Sequence, residues 1–173
     1  MAIREIRMFD DPILRKPTIP VVEINDGILS IIQDMIETMY AMPAFGVAAN
    51  QIGHSYSMFV FDTAWDYETK TNKNPKVLIN PEILSEENLV DFNEGCLSIP
   101  GAYINNQRFN SIKVSYINTK GETINETFEG LAAFAIQHEC EHLSGKLFTD
   151  RLGPVKRDLV MRRCRKYLKN KDR

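Results

Sequence analysis

No apolar run in this chain approaches the roughly 20 residues that a membrane-crossing helix needs. The first residues, Met-Ala-Ile-Arg-Glu-Ile-Arg, lack the apolar core of a secretory signal, and Glu5, Asp10 and Asp11 argue against an organelle transit peptide. Cysteine is sparse and odd in number, three in all, so a disulfide framework is not expected. These absences lead to the expectation of a cytoplasmic protein with no membrane partner. There is also no internal repeat, low-complexity tract or long linker. With 43% hydrophobic and 25% charged residues over 173 positions, the composition fits one globular domain spanning 1–173.

The net charge of −2 conceals an asymmetry. From Arg151 to Arg173 there are ten Lys or Arg against two Asp, a net +8, and the remainder carries −10. A basic tail on an acidic body suits a polyanionic partner, although a solvated surface helix has the same charge pattern.

Histidine is also scarce: three residues, two of them in Gln137-His138-Glu139-Cys140-Glu141-His142-Leu143. This is H-E-x-x-H. On a helix, positions i and i+4 lie about 40° apart, so the two imidazoles share a face and can grip one metal ion. Glu139 beside them can reach a water held and activated by that ion, the arrangement of metal-assisted hydrolysis.

Two histidines do not complete such a site, which usually has three protein ligands and an open position. Cys140 lies about 200° around the helix from His138 and faces the core. Glu141 lies about 100° from His142 and does not share its direction. Cys164 sits in the charged last segment and reads as a buried structural thiol. Cys96, preceded by Gly95 and followed by Pro100, is left by elimination. His54, after Gly53 in an expected turn, reads as solvent-exposed. At this level two rivals stay open. An endopeptidase shares H-E-x-x-H but usually takes a downstream His or Glu, and no His follows His142. A metal- or RNA-binding module would need a fourth ligand for a structural zinc.

The spacing of apolar residues predicts a helix capped by Asn25-Asp26, with Ile28, Ile31, Ile32, Met35, Ile36 and Met39 on its inner face and Pro43 at its end. Short strands are expected over 57–61, 76–79, 89–92, 111–117 and 123–128, with a hairpin turn at Thr119-Lys120-Gly121-Glu122. The motif helix follows Gly130 and stops at Gly145. A last helix, basic over 154–170, begins at Pro154, with Leu159, Val160 and Cys164 as its inner stripe. The class is α+β: small mixed or antiparallel sheets packed around the helix that carries H-E-x-x-H, with an N-terminal and a C-terminal helix.

Three segments together carry a family resemblance: Gly46-Val47-Ala48-Ala49-Asn50-Gln51, Glu94-Gly95-Cys96-Leu97-Ser98 and Gln137-His138-Glu139-x-x-His142-Leu143. In that order and at these separations they resemble the signature motifs of the peptide deformylases. Asp11-Pro12 and Leu14-Arg15 resemble that family's N-terminal segment, so the likeness covers essentially the whole chain. It implies Cys96, His138 and His142 as metal ligands, Glu139 as catalytic acid/base, and Gln51 with the Leu97 backbone N–H as oxyanion donors. It also implies release of formate from N-formylmethionyl nascent peptides, with Fe2+ as native ion and Zn2+, Ni2+ or Co2+ as substitutes. The expected substrate pocket comprises Phe45, Gly46, Glu94, Phe134 and Ala135, the bound peptide adding as a strand; Glu94 is expected to hold local backbone. In bacterial relatives a basic C-terminal helix docks on the ribosome, which implies a ribosomal partner here; a monomer is expected. A chain ending near Gly153 would then keep hydrolysis and lose the ribosome. Three positions depart from the family pattern: Ala44 for a glycine, Glu141 for an aspartate, and Tyr103 where several relatives carry arginine.

Overall fold

The computed structural model describes residues 2–171. Helix α1 runs Asp26–Ala41 and begins where the Asn25 side chain accepts the Ile28 N–H at 3.1 Å, satisfying a donor that the first turn leaves free. It ends at Met42, whose N–H reaches the Thr38 carbonyl, just before Pro43. Five strands follow in chain order: β1 (Gly46–Ala48), β2 (Met58–Phe61), β3 (Lys76–Cys96), β4 (Ile99–Ile117) and β5 (Thr123–Glu129). They form one antiparallel sheet in the order β1-β2-β3-β4-β5. Helix α2 (Gly130–Leu143) leaves directly from β5, and α3 (Pro154–Lys171) closes the described chain. No helix among the described residues is long and apolar enough to cross a membrane.

The sheet is buried on both faces near β2, so β2 is apolar at every position instead of alternating. Met58 and Val60 pack with Ile28, Ile32, Met35 and Met39 of α1. Phe59 and Phe61 pack on the other side with Phe128, Ala133 and Ile136 beneath α2. The α+β class is as expected, but the strands are not all short. β3 and β4 form a single long hairpin, with irregularities at 79/82, 83/85 and 95/96. Its outer part shows a two-residue period: Ala102, Ile104, Asn106 and Arg108 are buried while their neighbours 101, 103, 105 and 107 are exposed.

A third cluster seats α3 against Phe9, Leu14, Ile99, Ala102, Ile104 and Phe148. Of the stripe expected on α3, Cys164 is buried and Val160 packs partly buried against this cluster, but Leu159 is not part of it. Met161 and Cys164 are buried, whereas Leu159 is 49% exposed. Leu159 lies two residues before Met161, about 200° around the helix, so the two cannot share the inner face. Truncation at Gly153 would therefore strip a core layer packed against Cys96 as well as a charged surface.

Gly145 ends α2 in the left-handed region (φ +72°), and a Cβ there would meet the Arg15 carbonyl carbon and oxygen at 2.9 Å. The turn thus needs glycine twice over, for its dihedral and for its clearance. It docks the end of the motif helix on the N-terminal segment, where the Thr18 N–H donates to the Leu143 carbonyl at 2.9 Å.

Candidate metal centre

Helix α2 presents His138 and His142 one turn apart, with ring centroids 4.9 Å from each other. Cys96 is the last residue of β3, at the register break before the turn into β4. That break swings its sulfur onto the imidazole pair: Sγ lies 3.2 Å from His142 Nε2, and the three donor atoms all fall within 4.8 Å of one another. Donors on tetrahedral arms of 2.0–2.3 Å stand about 3.4–3.6 Å apart, so the Cys96–His142 pair is already close to that spacing and an ion would draw the three together from within 4.8 Å. A thiol and two imidazoles also make a donor set suited to a borderline divalent metal. Cys140 faces away and packs against the cluster under α2. Burial, with Glu139 and Glu141 adding to it, pushes its thiol up to about 12, so it remains a neutral apolar group.

The imidazoles are held from behind. His138 Nδ1 lies 3.0 Å from Glu94 Oε2, which leaves its other nitrogen for the cysteine side. Burial opposes ionisation of Glu94, but the side chains of His138, Arg108 and Asn106 outweigh it and bring the carboxyl down to about 2. The expectation that Glu94 holds backbone is not met, for its bonded partners are these side chains. Burial also works against a charged His138, yet the Cys96 sulfur and Glu94 overcome it and set its pKa well above the ordinary histidine value. His142 goes the other way: burial, then repulsion from His138 and Arg108, keep it neutral with a lone pair to give. The Asn50 amide fixes the helix end by donating to the His142 carbonyl at 2.6 Å.

Glu139 is buried beside the pair, and one of its oxygens has no hydrogen-bond partner among the described residues. Burial raises its pKa to about 7, against the opposing influence of His138. Gln51, in the short turn after β1, is locked at both ends of its amide. Its Oε1 accepts from the Ala48 N–H at 2.9 Å, and its Nε2 faces Ser98 Oγ at 3.1 Å and Cys96 Sγ at 3.6 Å. Leu97, next to Cys96, begins the turn into β4 and is half-buried.

Of the expected pocket residues, Gly46 lies against Glu139, and Phe45 is exposed at the start of β1. Phe134 is half-buried and stacks on Phe92 of β3 with centroids 4.4 Å apart. Ala135 is half-buried beside it in sequence on α2. His54 is partly buried and lies outside the donor cluster. Tyr103 is 76% exposed, its ring against Gly95. Sequence reasoning missed Arg108, Asn106 and Ser98. A signal for the first two existed: both occupy the buried phase of the alternation that starts at Ala102, where a charged or amide side chain must have a partner.

Fold and site define a class: an α+β protein that brings a cysteine from a strand end onto the two histidines of an H-E-x-x-H helix, with a Cys/His/His donor set for a metal. Residues 3–158 match the polypeptide deformylase family. The chain is 41% identical over 170 residues to a peptide deformylase of Phenylobacterium zucineum, covering 98% of this chain and 99% of that one. It is 40% identical to the peptide deformylase of Aquifex aeolicus, with 98% and 99% covered. Among solved structures, the peptide deformylase of Legionella pneumophila superposes with a TM-score of 0.93 at 38% identity, with 99% of each chain covered. The chain belongs to the peptide deformylase family. It is an enzyme of that family, and removal of the N-formyl group from nascent peptides is the activity that membership supports.

Proposed function

We propose that the chain hydrolyses the formyl group from N-formylmethionyl peptides and releases formate, at a divalent ion held by Cys96, His138 and His142. The observation that carries this reading is the buried Glu139 carboxyl beside the three converging donors, its pKa lifted to about 7. When bound, the ion supplies a Lewis acid that acidifies a water and polarises the formyl oxygen. Fe2+ is proposed as the native ion, with Zn2+, Ni2+ or Co2+ able to replace it.

The protein's own groups do the rest. A carboxyl with a pKa near neutrality can take the water's proton and return it to the leaving amine at one operating pH. The Gln51 amide, 3.6 Å from the Cys96 sulfur, and the N–H of Leu97, the next residue in the chain, serve in this reading as donors to the oxygen that becomes negative; one such donor typically contributes about 3–4 kcal/mol. Ser98 and the Ala48 N–H hold the Gln51 amide in place, and the hydrogen that faces the Cys96 sulfur is the one it would offer to that oxygen. Phe45, Gly46, Glu94, Phe134 and Ala135 are proposed to border the methionine pocket, the Phe92–Phe134 stack giving it a stiff apolar wall. Helix α3, with Arg163, Lys166 and Lys169 exposed, is proposed to contact ribosomal RNA.

The test is anaerobic purification with metal analysis, followed by formate release from formyl-Met-Ala-Ser. One equivalent of divalent metal and release of formate are expected. Glu139→Gln should keep the metal and lose about 10²–10⁴-fold in turnover. Full turnover by that variant, or cleavage of unformylated internal peptide bonds instead, overturns the reading.

A further inference from the structure

The two imidazoles are backed by a chain of charges that runs to the surface, and part of it has no place in the chemistry above. Arg108 is 1% exposed, and its guanidinium is divided between two carboxylates. Its Nη2 is 2.9 Å from both oxygens of Glu94 and its Nε 3.3 Å from Oε2. The same group faces Glu141, with Nη1 at 2.7 Å from Oε1 and Nη2 at 2.9 Å from Oε2. Glu141 in turn holds Arg151, whose Nε lies 3.1 Å from Oε1. A single buried guanidinium between two carboxylates is one positive charge short, and Arg151 supplies the second.

We propose that Glu141 is a positioning residue for the metal ligand His138, acting through Arg108 and Glu94; this rests on the reading of Cys96, His138 and His142 as ligands. Glu141 leaves α2 in a direction different from both histidines, and its bonds go to Arg108 and Arg151. Its effect passes through the guanidinium. With the Glu141 charge in place, Arg108 is shared, and Glu94 keeps negative charge to accept from His138 Nδ1. Without it, Arg108 turns wholly to Glu94 and competes with His138 for the same oxygen, Oε2. The ring then loses part of what fixes its orientation and its strength as a donor. The Glu141 carboxylate reaches both Arg108 and Arg151, which joins this outer partner to the segment after α2.

Glu141→Gln keeps the shape and removes the charge. It should bind Zn2+ about tenfold more weakly in competition with a chelator, and its kcat for a short formyl peptide should fall with KM unchanged. Glu141→Asp, which retains the charge, should stand closer to the parent than Glu141→Gln in both measurements. Arg151→Ala acts at an exposed member of the chain, carries little risk to folding, and should shift zinc affinity in the same direction by less. The inference is overturned if Glu141→Gln and Arg151→Ala both match the parent in zinc affinity and kcat while only thermal stability changes. It is also overturned if Glu141→Asp is as impaired as Glu141→Gln. His138→Ala separates the two levels: if it holds zinc as tightly as the parent, the ligand assignment itself fails.

Discussion

Gly46 of β1 stands directly against Glu139 of α2. A Cβ on Gly46 would lie 2.6 Å from Glu139 Oε1 and 3.1 Å from its Cγ and Cδ. Glu139 is buried, so even the smallest side chain at 46 must displace the carboxylate. Gly46→Ala should therefore retain metal and circular dichroism and lose roughly 10²-fold in kcat, the cost of about an ångström of misplacement. Parent-like kcat in this variant would show that the contact has no bearing on turnover.

Glu139 also predicts a pH profile. Its carboxyl must be ionised to accept a proton, so kcat/KM should fall on the acid side as it protonates. Burial, net of the opposing pull of His138, puts that limb at about 7, and the positive charge of a bound ion favours the carboxylate and moves the limb lower. The acid limb should vanish in the residual activity of Glu139→Gln. A limb that persists unchanged would assign it to another group.

The three cysteines should behave differently. Cys96→Ala removes a donor and should leave the purified protein largely without metal. Cys140→Ala should keep its metal, since that thiol faces the cluster under α2. Cys164→Ala should keep the metal but unfold at a lower temperature, because it opens a space among Phe9, Leu14 and Met161. Metal analysis and thermal melts separate all three. Metal retained by Cys96→Ala would remove the thiolate from the ligand set.

Asp34 of α1 anchors the N-terminal segment, accepting the Ala2 N–H at 2.7 Å and Arg4 Nε at 2.8 Å. Burial would raise its pKa, but the Arg4 and Ala2 contacts prevail and lower it from 3.8. A folded-state pKa below the unfolded one contributes stability above about 3.8, and that contribution disappears as pH falls through the lowered value. Asp34→Asn should cost about 1 kcal/mol at pH 7, the half-exposed Arg4 being screened, or roughly 2–4 °C in Tm. The gap from the parent should close at the acid end. A gap that is constant with pH would mean that the charge is not responsible.

Reversing exposed charges on α3 tests the ribosomal proposal without disturbing its buried side. The combination Arg163→Glu, Lys166→Glu and Lys169→Glu should release formate from short peptides at the parent rate. It should co-sediment with ribosomes less well, and its salt dependence should be shallower by about one unit of slope for each phosphate that is no longer neutralised. Co-sedimentation equal to the parent at every salt concentration would exclude α3 as the site of attachment.

The metal donors and Glu139 were legible in the sequence because their signals are local. Helical geometry places His138 and His142 on one face whatever surrounds them, and Glu139 goes with them. Cys96 was reachable by elimination, and the resemblance assigned it the same role. Helix α1 was legible down to its Asn25 cap, because a cap and an apolar stripe need only a few adjacent residues. The long β3–β4 hairpin was not. Its outer part is exposed on one side and rich in Asn, Gln and Glu, so beyond Ile79 only 89–92 and 111–117 read as strand and the stretches that join them into one hairpin do not. Leu159 was placed on the inner face of α3 because the apolar residues there allow more than one stripe, and only the seat formed by Phe9, Ile99 and Ala102 selects Met161 and Cys164.

Sequence alone thus determined the chemistry offered: which side chains can bind a metal, which carboxyl lies beside them, and where the basic charge is concentrated. Tertiary structure decided how those groups are tuned. The sharing of Arg108 between Glu94 and Glu141, the clearance at Gly46 and the clamp on Gln51 join residues far apart in the chain. Their energies depend on burial and on distances of a few ångströms, which exist only once the sheet and α2 have packed together.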